Sequence, residues 1–232
     1  MSNVWSISSV WGVLVTIAAF AAGTVINRRF GKALLNPLLL GTLFVILFLR
    51  LSGVPYSEYR SSSSLIQYLL LPATVSLAIP LYERWKQFEE NITAVLTGIL
   101  AGVLTSLGSI TVLALALKLD HAQYITLLPK SVTTAISMDI AAQLGGIPSL
   151  TSVVVILTGI VGNLMAVSVC RWFRITDPVA KGIAIGTSSH AIGTSKALEL
   201  GTTEGAMSSL SITVSGVLTS VLCPVIASFA AI

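Results

Sequence analysis

The stretch ITAVLTGILAGVLTSLGSITVLALAL, Ile92 to Leu117, decides the fold. It holds no charged residue. As a helix rising 1.5 Å per residue it reaches about 39 Å, more than the roughly 30 Å hydrocarbon layer of a bilayer. A second charge-free run, Ser149 to Cys170, is long enough on the same criterion. The whole chain has the matching composition: 232 residues, 54% hydrophobic and 9% charged, with a mean hydropathy of +0.92. A soluble domain carries about 25% charged residues because water must solvate its surface. Lipid must therefore cover most of this exterior. The reading is an all-α polytopic protein, multi-pass in the cell (inner) membrane.

Outward from residue 92 toward the N-terminus, Glu83 to Asn91 reads as a charged loop with Arg84 and Lys86, on the inside by the positive-inside rule. The apolar segment Leu65 to Tyr82 carries Pro72 and Pro80, which predicts a kinked or broken helix. Ser52 to Ser64 is a polar outside loop, and Leu34 to Leu51 a helix. The basic run Asn27 to Lys32 is an inside loop after a first helix, Val4 to Ile26. No basic residue precedes that helix and Arg28 and Arg29 follow it, the wrong polarity for a cleaved signal peptide. Trp5, Trp11, Trp85 and Trp172 fall near segment ends, as an aromatic belt requires.

Toward the C-terminus the simple alternation stops. Ala122 to Gly145 is too polar for a lipid-facing span and is interrupted by Pro129, Lys130 and Asp139. A clean helix, Ser149 to Phe173, leads to a basic inside loop with Arg171, Arg174 and Lys181. Gly182 to Gly201 is a second mixed stretch, and a final helix occupies Gly205 to Ala231. The helix at 92–117 ends outside and the next one must begin outside. Ala122 to Gly145 must then enter and leave by one face, and Gly182 to Gly201 must dip in from the other. The expectation is about six full spans plus two interrupted or re-entrant segments. Leu96-Thr97-Gly98-Ile99 recurs as Leu157-Thr158-Gly159-Ile160, and the same offset carries Thr133 onto Thr194. A four-residue match is weak alone; the shared order of elements adds to it. The reading is an inverted repeat of units 92–148 and 149–204, after N-terminal helices at 4–91 and before the final helix at 205–231. Such repeats hold solutes where interrupted helices meet near the midplane.

Net charge is +4, but no segment is long enough for a basic face on a soluble domain, so no nucleic acid is expected. Cys170 and Cys223 lie in or beside apolar helices and read as small buried hydrophobes rather than disulfide or metal ligands. No metal cluster, phosphate loop or Ser/His/Asp set is spaced for chemistry. Neither an enzyme nor a cofactor is expected.

Two constellations stand out. In Leu127-Leu128-Pro129-Lys130-Ser131-Val132-Thr133-Thr134, proline favours a helix start. Ser131, Thr133 and Thr134 then fall in an opening turn whose free N–H groups attract anions, and Lys130 adds a full charge. The plainer alternative has Lys130 reaching for the headgroups. In Gly186 to Lys196, GTSSHAIGTSK, glycines permit an unwound backbone, and His190 can donate to a carboxylate or take a proton. The alternatives are a histidine bonded to a neighbouring hydroxyl and glycines that pack helices together. Asn36-Pro37 and Pro80 to Glu83 mark helix ends. Asn163 is interhelical glue or a ligand, and Asp139 and Glu199 are expected to face a cavity.

LLPKSVTTAIS (127–137), GGIPSLTSV (145–153) and IGTSSHAIGTSKALEL (185–200), with NPLLLGT (36–42), PLYE (80–83) and EGAMSSL (204–210), resemble the signature segments of the LrgB/CidB family in matching order. Ala135 departs from the proline that members often carry there. The resemblance implies an antiholin-like modulator of murein hydrolase export and lysis, acting with a small holin-like LrgA/CidA partner. It also implies links to pyruvate uptake and, through a plastid relative, to glycolate and glycerate exchange. By motif position it points to Lys130, Ser131, Thr133, Thr134, Ser188, Ser189, His190, Gly193 and Thr194 as solute-binding residues. The leading expectation is a secondary transporter of a small monocarboxylate, with or without proton coupling. The rival is the antiholin-like regulator. A homodimer is expected by analogy with inverted-repeat carriers.

Overall fold

The long helices form where the sequence is apolar all round. In the computed structural model, which describes residues 10–30, 35, 37–69, 72, 75–76, 78–83 and 85–229, every regular element among those residues is helical. Contacts divide the chain into two compact units, Met1–Ser76 and Leu77–Ile232.

In the first unit, α1 (Trp11–Phe30) and α2 (Pro37–Ser52) pack through small residues. A Cβ on Gly41 would lie 3.3 Å from the Phe20 backbone, and one on Gly23 would lie 2.8 Å from the Pro37 carbonyl oxygen. α3 (Tyr56–Ser62) and α4 (Ser64–Tyr68) follow. Trp11 stacks obliquely on Tyr59 at 6.1 Å and on Phe48 at 6.3 Å, and Thr16 Oγ1 lies 2.8 Å from the Tyr59 hydroxyl.

The second unit begins with two short helices, α5 (Ala78–Glu83) and α6 (Trp85–Glu90). Then comes α7 (Ile92–Leu117), with the bounds expected. Its buried stripe is Val95, Ile99, Val103, Leu107, Ile110 and Ala114, a single face at helical spacing. Exposed Leu96, Leu100, Leu104 and Leu113 flank that stripe. An apolar outer face of that kind suits lipid. α8 (His121–Leu127) and α9 (Thr134–Leu144) lead to α10 (Pro148–Trp172), α11 (Pro178–Leu200) and α12 (Thr202–Phe229).

α8 and α9 form a hairpin. His121 Nε2 at its start lies 3.3 Å from the Leu144 carbonyl at its end, while Ser131 at its tip pairs with Ser106 in the middle of α7 at 2.8 Å. α11 is a second hairpin, folded at His190, whose backbone leaves the helix with φ 43 and ψ −144. Gly182 on the first arm touches Glu204 of α12, and Leu198 on the second arm touches the neighbouring Gly205. Lys181 and Leu200, one near each end, share a 190 Å³ cavity with Arg171.

The hairpins reach in from opposite ends of α10. The first sits at its N-terminal end, where Ile147 N–H donates to Thr126 Oγ1 at 2.8 Å and Thr151 Oγ1 donates to the Thr126 carbonyl at 3.0 Å. The second starts beside Arg171, and its tip reaches Val155. At 1.5 Å per residue that stretch of α10 is about 24 Å, most of a bilayer's apolar thickness. Each hairpin follows a basic residue with left-handed backbone, Lys118 (φ 52) as the cap of α7 and Arg174 (φ 54) one residue past the Phe173 cap of α10. An aspartate then caps the next helix, Asp120 onto Gln123 N–H and Asp177 onto Ala180 N–H, both at 2.8 Å.

Several expectations change. Four helices among the described residues are long and apolar enough to cross a membrane, α1, α7, α10 and α12, with α2 shorter. The segment 65–82, expected to be kinked or broken, has α4 and α5 at its ends, and much of its middle is outside the described residues. Asn27 to Phe30 belongs to α1 rather than a loop, and the expected loops at 52–64 and 83–91 contain α3 and α6. Three tryptophans do sit at helix termini, Trp11, Trp85 and Trp172; Trp5 is outside the described residues.

Candidate functional site

The tips of the two hairpins meet at one cavity of about 570 Å³, walled by Lys130 from the first, Ser188 and Ser189 from the second, and Thr158 and Gly162 of α10. The rest of its lining is mostly apolar, with Leu157 and Val161 roughly half exposed on its open side. The two polar stretches, far apart in sequence, thus form one place.

Lys130 sits in the turn between α8 and α9, half-buried. Its ammonium donates to Ser131 Oγ at 3.0 Å. No carboxylate pairs with it among the described residues, where the ion pair found is the exposed Lys196–Glu199 at 2.7 Å. An ammonium has three donors, so two remain for a solute. Ser131 is buried and held between Lys130 and Ser106.

The opening turn differs from expectation. α9 starts at Thr134, with Thr133 extended as its N-cap (φ −61, ψ 148) and making no side-chain cap bond. The backbone stays open from Pro129 to Thr133 because Ser137 Oγ reaches back to the Pro129 carbonyl at 2.6 Å and the Val132 carbonyl at 3.3 Å. Thr133 and Thr134 are outside the cavity lining. Ala135 is compatible with this helix start.

On the second hairpin, Ser188 Oγ donates to the Ala184 carbonyl at 2.7 Å and lies 3.0 Å from Ser189 Oγ. A hydroxyl has one proton. With Ser188's directed to Ala184, it is Ser189's that can turn toward an anion. His190 is 3% exposed, and its Nε2 lies 2.9 Å from the Val155 carbonyl. A carbonyl only accepts, so Nε2 carries the proton. The ring is outside the cavity lining; its partner is a backbone carbonyl rather than a solute or a hydroxyl. Positive φ at a non-glycine residue costs about 1–3 kcal/mol and marks a place held by its surroundings.

The glycines do not supply the break. Gly186 is helical and lets α12 approach: a Cβ there would lie 2.8 Å from Ser211 Cβ. Gly193 fits against Ser189 and Ile185 inside the hairpin. Thr194 Oγ1 bonds the His190 carbonyl at 3.0 Å and Ser208 Oγ at 2.7 Å, fastening the tip to α12. Asn163 Nδ2 donates to the Ile192 carbonyl at 2.8 Å and to Ser195 Oγ at 3.1 Å. It is glue. Glu199 is exposed and paired with Lys196, while Asp139 lines a separate small cavity.

Sequence reading passed over Ser106, Thr158 and Gly162. The signal for Ser106 was a hydroxyl in mid-span, and Thr158 lay in the repeated Leu-Thr-Gly-Ile phrase. Glu204 was noted only within a motif; it is buried in the first turn of α12 against Gly201, where the helix dipole favours negative charge. Among the described residues no His/Cys/Asp/Glu group has metal-binding geometry.

The sequence profile of the LrgB-like family matches residues 16–229. The chain is similar to the uncharacterized protein YxaC of Bacillus subtilis (strain 168), 38% identical over 92% of this chain and 93% of that one. It is also similar to the antiholin-like protein LrgB of Bacillus mycoides (strain KBAB4) and of Bacillus cereus (strain B4264). Each is 34% identical, covering 94% of this chain and 96% of the relative. No solved structure matches. With apolar helices of spanning length, two hairpins meeting between them and this likeness along nearly its whole length, the chain is a membrane protein of the LrgB-like family.

Proposed function

We propose that this protein is a secondary transporter of a small monocarboxylate in the cell (inner) membrane, with Lys130, Ser188 and Ser189 as the solute contacts. The observation that carries this reading is the convergence of two re-entrant tips on one cavity containing a cation without an acidic partner. A carboxylate would take hydrogen bonds from the Lys130 ammonium and the Ser189 hydroxyl, with its short apolar body against Leu157, Val161 and Met165. The volume falls within the roughly 300–1,000 Å³ range of small-molecule pockets. Ser131, Thr133, Thr134, Gly193 and Thr194 act on position: they hold the tips. His190 supports the second tip from behind rather than meeting the solute. The units 92–148 and 149–204, with their like launching caps and opposed hairpins, read as an inverted repeat, in which alternate rocking of the two hairpins exposes the cavity to each side.

The test is uptake of labelled pyruvate, glycolate and lactate by proteoliposomes. Saturable uptake lost in Lys130→Ala and reduced in Ser189→Ala supports the carrier; uptake unchanged by Lys130→Ala sinks the site. The antiholin-like names of two relatives favour a second reading, an antiholin-like regulator, for which the family resemblance implies a small holin-like membrane subunit as partner. Binding of such a subunit without uptake of any of the three solutes, with or without it, would decide for that reading.

A further inference from the structure

The cavity at the hairpin tips is polar at one end only. Its oxygen- and nitrogen-bearing side chains are Lys130, Thr158, Ser188 and Ser189. Ser189, 2% exposed, stands against Gly162 of α10. From that level the cavity continues along α10 past Met165, Ala166 and Val169 to Cys170, with Ile185 and Ile175 also in its wall. Gly159 faces His190, Gly162 faces Ser189 and Ala166 packs with Ile185, so the first arm of α11 runs antiparallel to α10 along this stretch. We propose that this apolar arm receives the hydrocarbon tail of a longer solute, a monocarboxylate with a chain of up to about ten carbons.

Volume is the first ground. At water's share of about 30 Å³ per non-hydrogen atom, the six such atoms of pyruvate fill about 180 Å³, no more than a third of the 570 Å³ present. The remainder cannot be assigned to ordered water, which needs two to four polar partners, because the wall beyond Ser189 carries none apart from the Cys170 thiol. Hydrocarbon is the filling that such a wall favours. Length is the second ground. The eight residues from Gly162 to Cys170 rise about 12 Å as a helix. An extended chain advances about 3.5 Å per three bonds, so that distance takes about ten bonds.

Both ends of the arm constrain what enters. At the tip end the Lys130 ammonium has no acidic partner among the described residues, which matches a single carboxylate. At the far end Cys170 and Ile175 also wall the smaller cavity that holds Arg171 and Lys181. A hydrocarbon end pushed that far would strip water from two cations without pairing them, which is costly. The arm therefore has an upper length as well as a polarity. The inference rests on the reading of Lys130 and Ser189 as carboxylate contacts, and it extends that site from two- and three-carbon acids to medium-chain ones.

The experiment measures equilibrium binding of ¹⁴C-octanoate to the full chain in nanodiscs, with empty nanodiscs subtracting partition into lipid, and its displacement by acetate, butyrate, hexanoate and pyruvate. The expected result is a saturable site whose affinity rises about threefold to fourfold per methylene from butyrate to octanoate. Lys130→Ala should weaken every acid about tenfold or more. Val169→Phe, which sets a ring in the tail's path, should weaken octanoate about tenfold and leave acetate and pyruvate unchanged, a split that a folding defect would not produce. If Val169→Phe does not accumulate, Met165→Phe on the same wall should show the same split. Equal affinity for butyrate and octanoate overturns the tail and leaves the Lys130 site standing, as does pyruvate binding without any octanoate binding. A length dependence unaltered in the accumulating phenylalanine variant overturns the placement of the tail. If no acid of any length binds, the inference and the carrier reading fall together.

Discussion

Replacing Gly159 with alanine places a methyl group against the second hairpin's tip. A Cβ built there lies 2.6 Å from Cε1 and 2.8 Å from Nε2 of His190, and 2.8 Å from Ile192 Cβ. Ordinary contact begins near 3.4 Å, so the ring must retreat by about 0.8 Å. It cannot do so freely, because His190 is 3% exposed and its Nε2–H is bonded to Val155 at 2.9 Å. A retreat of that size takes the pair beyond hydrogen-bond reach. Overpacking costs about 1–3 kcal/mol, and the loss of a buried bond adds to it. The expected net is about 2 kcal/mol, or a melting temperature roughly 4–8 °C lower for a chain of this size. Gly108→Ala is the matched control, since a Cβ there meets nothing within 4 Å and alanine favours a helix by about 1 kcal/mol. Thermal unfolding of both variants in one detergent is the assay. Equal melting temperatures for the two variants would refute the claim that α10 holds the tip through this contact.

Asn163→Leu removes donors to Ile192 and Ser195; at about 0.6 kcal/mol per interhelical bond, a loss near 1 kcal/mol is expected, read by the same melt. Asp120→Ala, which breaks a capping box on α8, should cost about 1 kcal/mol, and a Gln123→Ala partner variant should show the two effects to be non-additive. Because Cys170 and Cys223 are both buried, a cysteine at Ser188 should be the fast-reacting thiol toward a small polar reagent, whereas one at Thr194, 1% exposed, should react slowly. Cysteines at Asp120 and Asp177, tested with an impermeant reagent in oriented vesicles, should label from opposite sides; labelling from one side would refute the opposed-hairpin topology.

The membrane class, the bounds of α7 and α10 and the two departures from simple spanning were legible in the sequence. They depend on sums of transfer free energy along contiguous residues, and 92–117 needs no knowledge of its neighbours. That the polar stretches holding Lys130 and Ser188 to Ser189 come together was also readable, because polarity inside an apolar chain has few places to go. Helix starts within 127–134 were misread. Proline and the threonines favoured an early start, but Ser137 reaches back eight residues to the Pro129 carbonyl and keeps the turn open. The glycines at 186 and 193 were read as the points of unwinding, yet they serve close packing, and the chain breaks at His190 instead. The sequence by itself determined that this is a membrane protein and that two of its segments are too polar to match its apolar helices. Only the tertiary structure decided where they break and which side chains face the cavity. Those outcomes hang on pairings between distant residues, Val155 with His190, Ser106 with Ser131 and Thr194 with Ser208, which no local propensity encodes.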